Sequence, residues 1–403
     1  MAGQHAVGPA DRGTSRLTGW KAAYNGGVKS LRWTEVWRER LQQHFLVDPA
    51  APEQLAEVVG SVCGIHAQVM PSAELSLGLR VAGFGQHDVR AALADHHLLV
   101  RTYGLRGTVH IFPRTELSLW ITALRTRTPP RAVNEQERSA LPPERLPEVL
   151  DAIRDALHDD GACLTRAELA AALRERLGEW IMEDAVPAFG GWMPRWQLAL
   201  APAAWNGVLA FGPNRGNNVT YVGLSPLPEV DGRTAQQEVL RRYLRAYGPT
   251  THVEFARWFY AEPKAARTLL ESLRDELEEV NVEGWRAWRL REPGAVQAGQ
   301  SVHLLPQFDC YVVGCHPRAQ LLPESMRSSG TAAPFNVVLV DGVVGGLWSR
   351  QRRGKRIEIR VGAFRPLTRG QQAQAAEQAS RIGEILGGSV DLSFGEVEPR
   401  RHL

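Results

Sequence analysis

Thr165-Arg166-Ala167-Glu168-Leu169-Ala170 and Thr251-His252-Val253-Glu254-Phe255-Ala256 are two copies of one pattern, T-x-x-E leading into apolar residues. In such a capping box the threonine hydroxyl takes a free amide of the first helical turn and the glutamate reaches back, so each copy predicts a helix start. Each box follows an amphipathic helix carrying a Val-Leu pair, Val149-Leu150 or Val239-Leu240, and precedes a further helix. Each block then closes on a hairpin-like stretch. The first runs from Gly207 to Tyr221 around Asn214-Arg215-Gly216, the second from Val280 to Leu290 around Glu283-Gly284. Helix, helix, helix, hairpin is the order of a winged helix-turn-helix.

The preceding block follows suit. Leu55, Val58, Val59, Val62 and Cys63 recur at helical spacing, a second helix is expected near Val89 to Leu98, and Val100 to Phe112 carries Gly104 and Gly107, which suit a wing. The last block changes period: Val302 to Val313 and Phe335 to Trp348 are rich in β-branched and aromatic residues, and Asp341-Gly342 is a strong two-residue hairpin turn. Trp348 to Val361 reads as a second hairpin with Gly354 near its tip, followed by a helix over Arg369 to Leu386 and a last strand. The expected fold is α+β: three tandem winged helix-turn-helix units followed by a C-terminal β-barrel-like module. Pro- and Gly-rich breaks set the expected boundaries at 1–30 for a flexible leader, 31–128, 144–223 and 233–292 for the three units, and 300–403 for the β module.

A chain of 403 residues with 44% hydrophobic and 23% charged residues is globular and divides into several domains, which excludes bulk disorder and fibrous structure. No apolar stretch is long and uninterrupted enough to span a bilayer, and no basic-then-apolar signal opens the chain, so a cytoplasmic, nucleoid-associated protein with no membrane partner is expected. Cys63, Cys163, Cys310 and Cys315 form no CxxC pair and read as reduced thiols, mostly buried. The histidines are scattered, so no metal site is expected. No P-loop, HExxH or GxSxG occurs, and Gly83-Phe84-Gly85 lacks a third glycine, so no cofactor is expected.

The net charge of +3 conceals a concentration. Between Gly345 and Gly370 lie Arg350, Arg352, Arg353, Lys355, Arg356, Arg360, Arg365 and Arg369 against the single acid Glu358, so this segment carries +7 and the rest is acidic. A hairpin for phosphate contacts fits this pattern, although alternating charge on an edge strand also guards against aggregation. Arg101, Arg106 and His110 in the first wing are further candidates for facing phosphate.

Gly64-Ile65-His66-Ala67-Gln68 lies just past the first apolar helix. If Gly64 ends that helix and the chain runs extended, His66 and Gln68 share a face and their polar groups converge. If the helix continues, His66 extends the apolar stripe as a half-buried histidine, which is the commoner outcome of such spacing. Asp309, within Leu304-Leu305-Pro306-Gln307-Phe308-Asp309-Cys310-Tyr311, is expected to cap backbone amides and not to catalyse.

Together with Arg106-Gly107-Thr108-Val109-His110 and Val340-Asp341-Gly342 leading to Trp348, these stretches resemble the winged-helix DNA glycosylases of the AlkZ/YcaQ type. The likeness covers nearly the whole chain after residue 30. It implies three winged helices and a β-barrel cupping DNA, a catalytic polar-apolar-polar motif, a basic hairpin, excision of N7-alkylated guanines or unhooking of crosslinks, and a monomer. The family motif is commonly Gln-apolar-Gln or Gln-apolar-Asp, and His66 in first position is similar to self-resistance glycosylases of the trioxacarcin type. The expected partner is double-stranded DNA carrying alkylated guanine, met by catalytic His66 and Gln68 and by Arg350, Arg352, Arg353, Lys355, Arg356, Arg101 and Arg106. A noncatalytic winged-helix transcriptional regulator is the competing reading of the same fold. Only Lys21, Lys29, Lys264 and Lys355 are available for a Schiff base, and none is near the motif in sequence, so lyase chemistry is not expected.

Overall fold

Thr165, Asp231, Thr251 and Thr368 each place a side-chain oxygen on an amide two or three residues on, opening helices Arg166–Leu177, Gly232–Tyr247, His252–Phe259 and Arg369–Leu386. The Thr165 box closes fully, because Glu168 accepts the Thr165 N–H at 2.7 Å. In the second copy Thr251 accepts the Glu254 N–H, but the Glu254 carboxylate turns to Arg257 and His316 instead. The computed structural model describes residues 28–130, 139–158, 162–188, 191–291, 300–327 and 334–398.

The chain enters on strand β1 (Lys29–Leu31) and helix Trp33–Gln43. Helix Leu55–Ser61 then leads to β2 (Ile65–His66), helices Met70–Gly78 and Gln86–Ala94, and a hairpin of β3 (Leu99–Tyr103) and β4 (Val109–Pro113), with sheet order β2-β4-β3. The same order returns further along. Helix Leu146–Ala156 precedes β5 (Cys163–Thr165) and helix Arg166–Leu177. An extra hairpin of β6 (Asp184–Ala188) and β7 (Gly191–Pro194) intervenes before helices Arg195–Leu198 and Leu200–Trp205. The unit closes on β8 (Leu209–Phe211) and β9 (Thr220–Gly223), with sheet order β5-β9-β8. Helices Gly232–Tyr247, His252–Phe259 and Pro263–Glu271 then precede β10 (Leu277–Val282) and β11 (Trp285–Leu290). Glu283 and Gly284, both at positive φ, make the two-residue turn between those strands.

Most of the leader expected over 1–30 lies outside the described residues. Its end does not: Lys29 and Ser30 belong to β1, which runs parallel to β10 and completes the third unit's sheet across some 250 residues of sequence. No local pattern signals such a pairing.

In the C-terminal module β12 (Val302–Leu305) gives way to a turn and then to helix Cys310–Gly314, which Asp309 caps as expected. The sheet of β12, β13 (Val337–Val340), β14 (Val343–Arg353), β15 (Arg356–Ala363) and β16 (Ser389–Phe394) is an open half-barrel, its outer edges unpaired among the described residues and helix Arg369–Leu386 packed against β12 and β16. Asp341 and Gly342, at φ 51° and 86°, form the turn between β13 and β14, where a Cβ on Gly342 would stand 2.6 Å from that of Trp37.

Val149, Ile153, Leu169, Leu173 and Leu209 give the second unit a core of its own. The third unit and the half-barrel instead share one with helix Trp33–Gln43 and the hairpin of the first unit. Arg40, 1% exposed, stitches this junction by donating to the carbonyls of Gly248, Pro249 and His316 at 2.9–3.1 Å. The first unit and the half-barrel are therefore fixed against each other, and the candidate site lies where they meet.

Candidate active site and basic hairpin

Cys63 and Gly64, at φ 64° and 87°, turn the chain out of helix Leu55–Ser61 and into β2, so the helix ends before His66 and the segment runs extended. A Cβ on Gly64 would lie 2.5 Å from Phe112, so this turn requires glycine on both counts. Ile65 pairs with Ile111 and His66 with His110, and the Ala67 N–H continues the ladder to the Val109 carbonyl at 2.7 Å. Ala67 is buried, whereas Gln68 is exposed, its Oε1 accepting the Val109 N–H at 3.3 Å. That bond occupies the amide oxygen and leaves the amide NH2 to donate outward.

His66 is 7% exposed and stands between two rings. Phe308, from the half-barrel, stacks on it at 5.1 Å and 18°, and His110 meets it edge-on at 5.2 Å. Its Nδ1 is buried without a hydrogen-bond partner among the described residues. Burial, and secondarily the Arg106 guanidinium, push the imidazole down to about 4, so the ring is neutral at physiological pH. His110 is 3% exposed, its Nδ1 at 3.0 Å from the Thr108 carbonyl, so it supports His66 from behind and does not face phosphate.

Neither Phe308 nor its support was singled out from the sequence as part of the site. Asp309 accepts both Nη atoms of Arg80 at 2.7 and 2.8 Å, the Ser76 hydroxyl at 2.6 Å and the Tyr311 N–H at 2.9 Å. Arg80 and Ser76 follow the motif on or just after helix Met70–Gly78, so the expected capping role of Asp309 is joined by a buried ion pair that clamps the two modules together.

The basic hairpin is less uniform than its composition. Gly354 and Lys355 form its two-residue tip, and Lys355 and Arg352 are exposed; Arg352 donates to the carbonyls of Gly354 and Leu386, and among the described residues no carboxylate pairs with it. Arg353 pairs with Glu358 at 3.2 Å, and Arg356 pairs with Asp391 of β16, an acid outside the basic window. Arg350 is turned inward, half-buried, its Nη1 buried without a partner and its charge facing Glu74. In the β3–β4 hairpin, Arg101 is half-buried over the Phe211 ring at 4.6 Å. Arg106, a non-glycine at φ 56°, is half-buried and donates to the Trp258 carbonyl at 3.4 Å. Burial lowers the pKa of each of these three guanidines.

Beside the start of helix Met70–Gly78 opens a cleft of about 1770 Å³, with Met70, Pro71, Arg101, Arg114 and Arg125 on its wall. Among the described residues no group of three His, Cys, Asp or Glu side chains is arranged to hold a metal ion, and no helix is long and apolar enough to cross a membrane. The four cysteines are free thiols, three of them buried.

The family model for AlkZ-like DNA glycosylases matches residues 59–385. An interstrand DNA cross-link repair glycosylase of Streptomyces sahachiroi is 32% identical over 338 residues, covering 78% of this chain and 87% of the relative. The structure of the Streptomyces sahachiroi DNA glycosylase AlkZ superposes with a TM-score of 0.73 at 28% identity, covering 90% of this chain and all of that one. The chain is an enzyme that acts on DNA as a glycosylase; it belongs to the AlkZ-like DNA glycosylase family.

Proposed function

We propose that this glycosylase hydrolyses the N-glycosidic bond of bulky N7-alkylguanine adducts in double-stranded DNA, extends to interstrand crosslinks, and gives its host self-resistance to a DNA-alkylating natural product. The observation that carries the reading is the extended segment after Gly64, which holds the neutral His66 imidazole and, two residues on, Gln68 with its amide oxygen engaged by Val109. The cross-link repair activity named for the relative favours the crosslink part. In this reading the three repeated units serve as winged helices, and the protein works as a cytoplasmic monomer.

An N7-alkylguanine is cationic and already a good leaving group, so the enzyme need only stabilise an oxocarbenium-like sugar and place a water at C1′. The water oxygen bonds to C1′ as the C1′–N9 bond breaks, and N9 leaves with the electron pair, which neutralises the base. The water's proton passes to the unprotonated ring nitrogen of His66. Gln68 orients that water through its NH2, since its oxygen is engaged by Val109. Phosphates drawn against the site favour the protonated imidazole and offset part of the burial that disfavours it. The product is an abasic site.

A bulky adduct does not fit a tight flipping pocket, so the base stays in the stack and the cleft beside Met70 and Pro71 gives its substituent room. The hairpin tip follows the backbone through Lys355 and Arg352, with affinity set by charge and shape.

The test is incubation with duplexes carrying N7-methylguanine, a bulky N7-guanine adduct or an N7-linked crosslink, scoring abasic sites and released base. Release of the bulky base and unhooking are expected. Excision confined to N7-methylguanine would remove the bulky-substrate claim, and sequence-specific binding with no base released would turn the reading to a regulator.

A further inference from the structure

Phe308 occupies a backbone conformation that its residue type seldom adopts. At φ 59° it lies in the left-handed region, at the centre of a turn closed by the Asp309 N–H on the Pro306 carbonyl at 3.2 Å. The surroundings over-determine that turn. The Gln307 N–H donates to Asn336 Oδ1 at 2.9 Å, and the Asp309 carboxylate takes four donors from Arg80, Ser76 and Tyr311. What the conformation achieves is the placing of one flat ring. Phe308 lies within 18° of parallel to His66, while the residue itself stays half-buried, so its ring separates the imidazole from the open side of the junction.

We infer that Phe308 is a positioning residue for the glycosylase reaction: stacked on His66, it fixes the plane of the imidazole and keeps water from that face, so that the half-barrel completes an active site begun on the first unit. The inference rests on His66 being the proton acceptor. The titratable and charged groups beside His66 on the β3–β4 hairpin are Arg106 and His110. On the half-barrel side Asp309, the residue after Phe308, is spent on Arg80, and the contact on His66 is the apolar ring of Phe308. Removing the ring admits water and therefore raises the proton affinity of His66, with no charge added or removed.

The experiment follows the His66 ring by NMR in the full-length, histidine-labelled protein, in Phe308→Leu, Phe308→Met and Phe308→Tyr, alongside the pH dependence of kcat/KM for excision. The wild-type ring, pushed down by burial, is expected to titrate at about 4. Leu and Met, apolar but without a flat ring, move the midpoint upward by about one unit or more towards the ordinary histidine value, and Tyr restores it. The acidic limb of kcat/KM moves the same way, because a base is lost as pH falls through its pKa. His303, buried in β12, also pushed down to about 4 and sensitive to the charges of Arg80 and Asp309, reports that the junction is still assembled in each variant. An unmoved His66 midpoint in a variant whose His303 still titrates as in the wild type overturns the inference. Undiminished excision by His66→Ala would instead remove the reading of His66 as the acceptor, while the NMR titration would still decide whether Phe308 sets its environment.

Discussion

Arg80 and Asp309, 229 residues apart in sequence, form a two-point ion pair from which solvent is wholly excluded: both side chains are 0% exposed and their closest atoms stand 2.7 Å apart. Arg80 follows the motif helix and Asp309 follows Phe308, so the pair joins the two halves of the candidate site. Taking out one partner leaves the other charged and desolvated. Asp309→Ala is expected to cost about 3–5 kcal/mol, more than the loss of any surface pair in the molecule. Chemical denaturation monitored by fluorescence checks it, and a loss below about 1 kcal/mol would mean that the pair does not hold the junction.

Stability is expected to fall in acid before the carboxylates titrate. Burial depresses His66 and His303 to about 4, and lowers His44 and His110 as well. Unfolded histidines take a proton near 6.5, so between the two values the unfolded chain binds more protons than the folded one. The stability these neutral rings contribute is complete above pH 6.5 and is lost as pH falls towards 4, with a slope of up to about 1.4 kcal/mol per pH unit for each ring. Urea denaturation at pH 7.5, 6 and 5 measures this; equal stability at all three would refute it.

The salt dependence of DNA binding sorts the hairpin cations. Arg352 and Lys355 face solvent without a carboxylate, so Arg352→Ala and Lys355→Ala are each expected to lower the magnitude of the log Kd against log salt slope by about 0.9. Arg350→Ala is expected to change the slope less, because its guanidine is turned towards Glu74. Fluorescence anisotropy between 50 and 200 mM salt decides, and unchanged slopes in the first two variants would count against the hairpin's role.

Borohydride reduction during turnover is expected to trap no covalent protein–DNA adduct. Lys21 lies outside the described residues; Lys29 lies in a strand of the third unit's sheet, Lys264 in helix Pro263–Glu271 and Lys355 at the hairpin tip, and none of these three is among the groups described around His66. A trapped band on a denaturing gel would establish lyase chemistry.

What was legible in the sequence was the part with a local cause. The Thr165 box, the Glu283-Gly284 and Asp341-Gly342 turns and helix Arg369–Leu386 each depend on neighbouring residues, and each stands where the pattern puts it. The motif was legible as an alternative between strand and helix, which Gly64 resolves through a conformation and a close approach. Contacts between distant segments were not legible. The β1–β10 pairing, the stack of Phe308 on His66 and the ion pair of Arg356 with Asp391 join segments whose proximity no periodicity encodes. In the sequence Arg350 is indistinguishable from the neighbouring cations, because alternation along a strand gives a side chain its face but not what covers that face.

The most direct test is single-turnover excision of a bulky N7-alkylguanine from a duplex by His66→Ala and Gln68→Ala, with binding measured on the same DNA. The account predicts that His66→Ala lowers the rate by about a hundredfold or more, that Gln68→Ala lowers it as well, and that Kd changes by less than about threefold in both. A His66→Ala protein that binds as the wild type does and excises at the wild-type rate would contradict it.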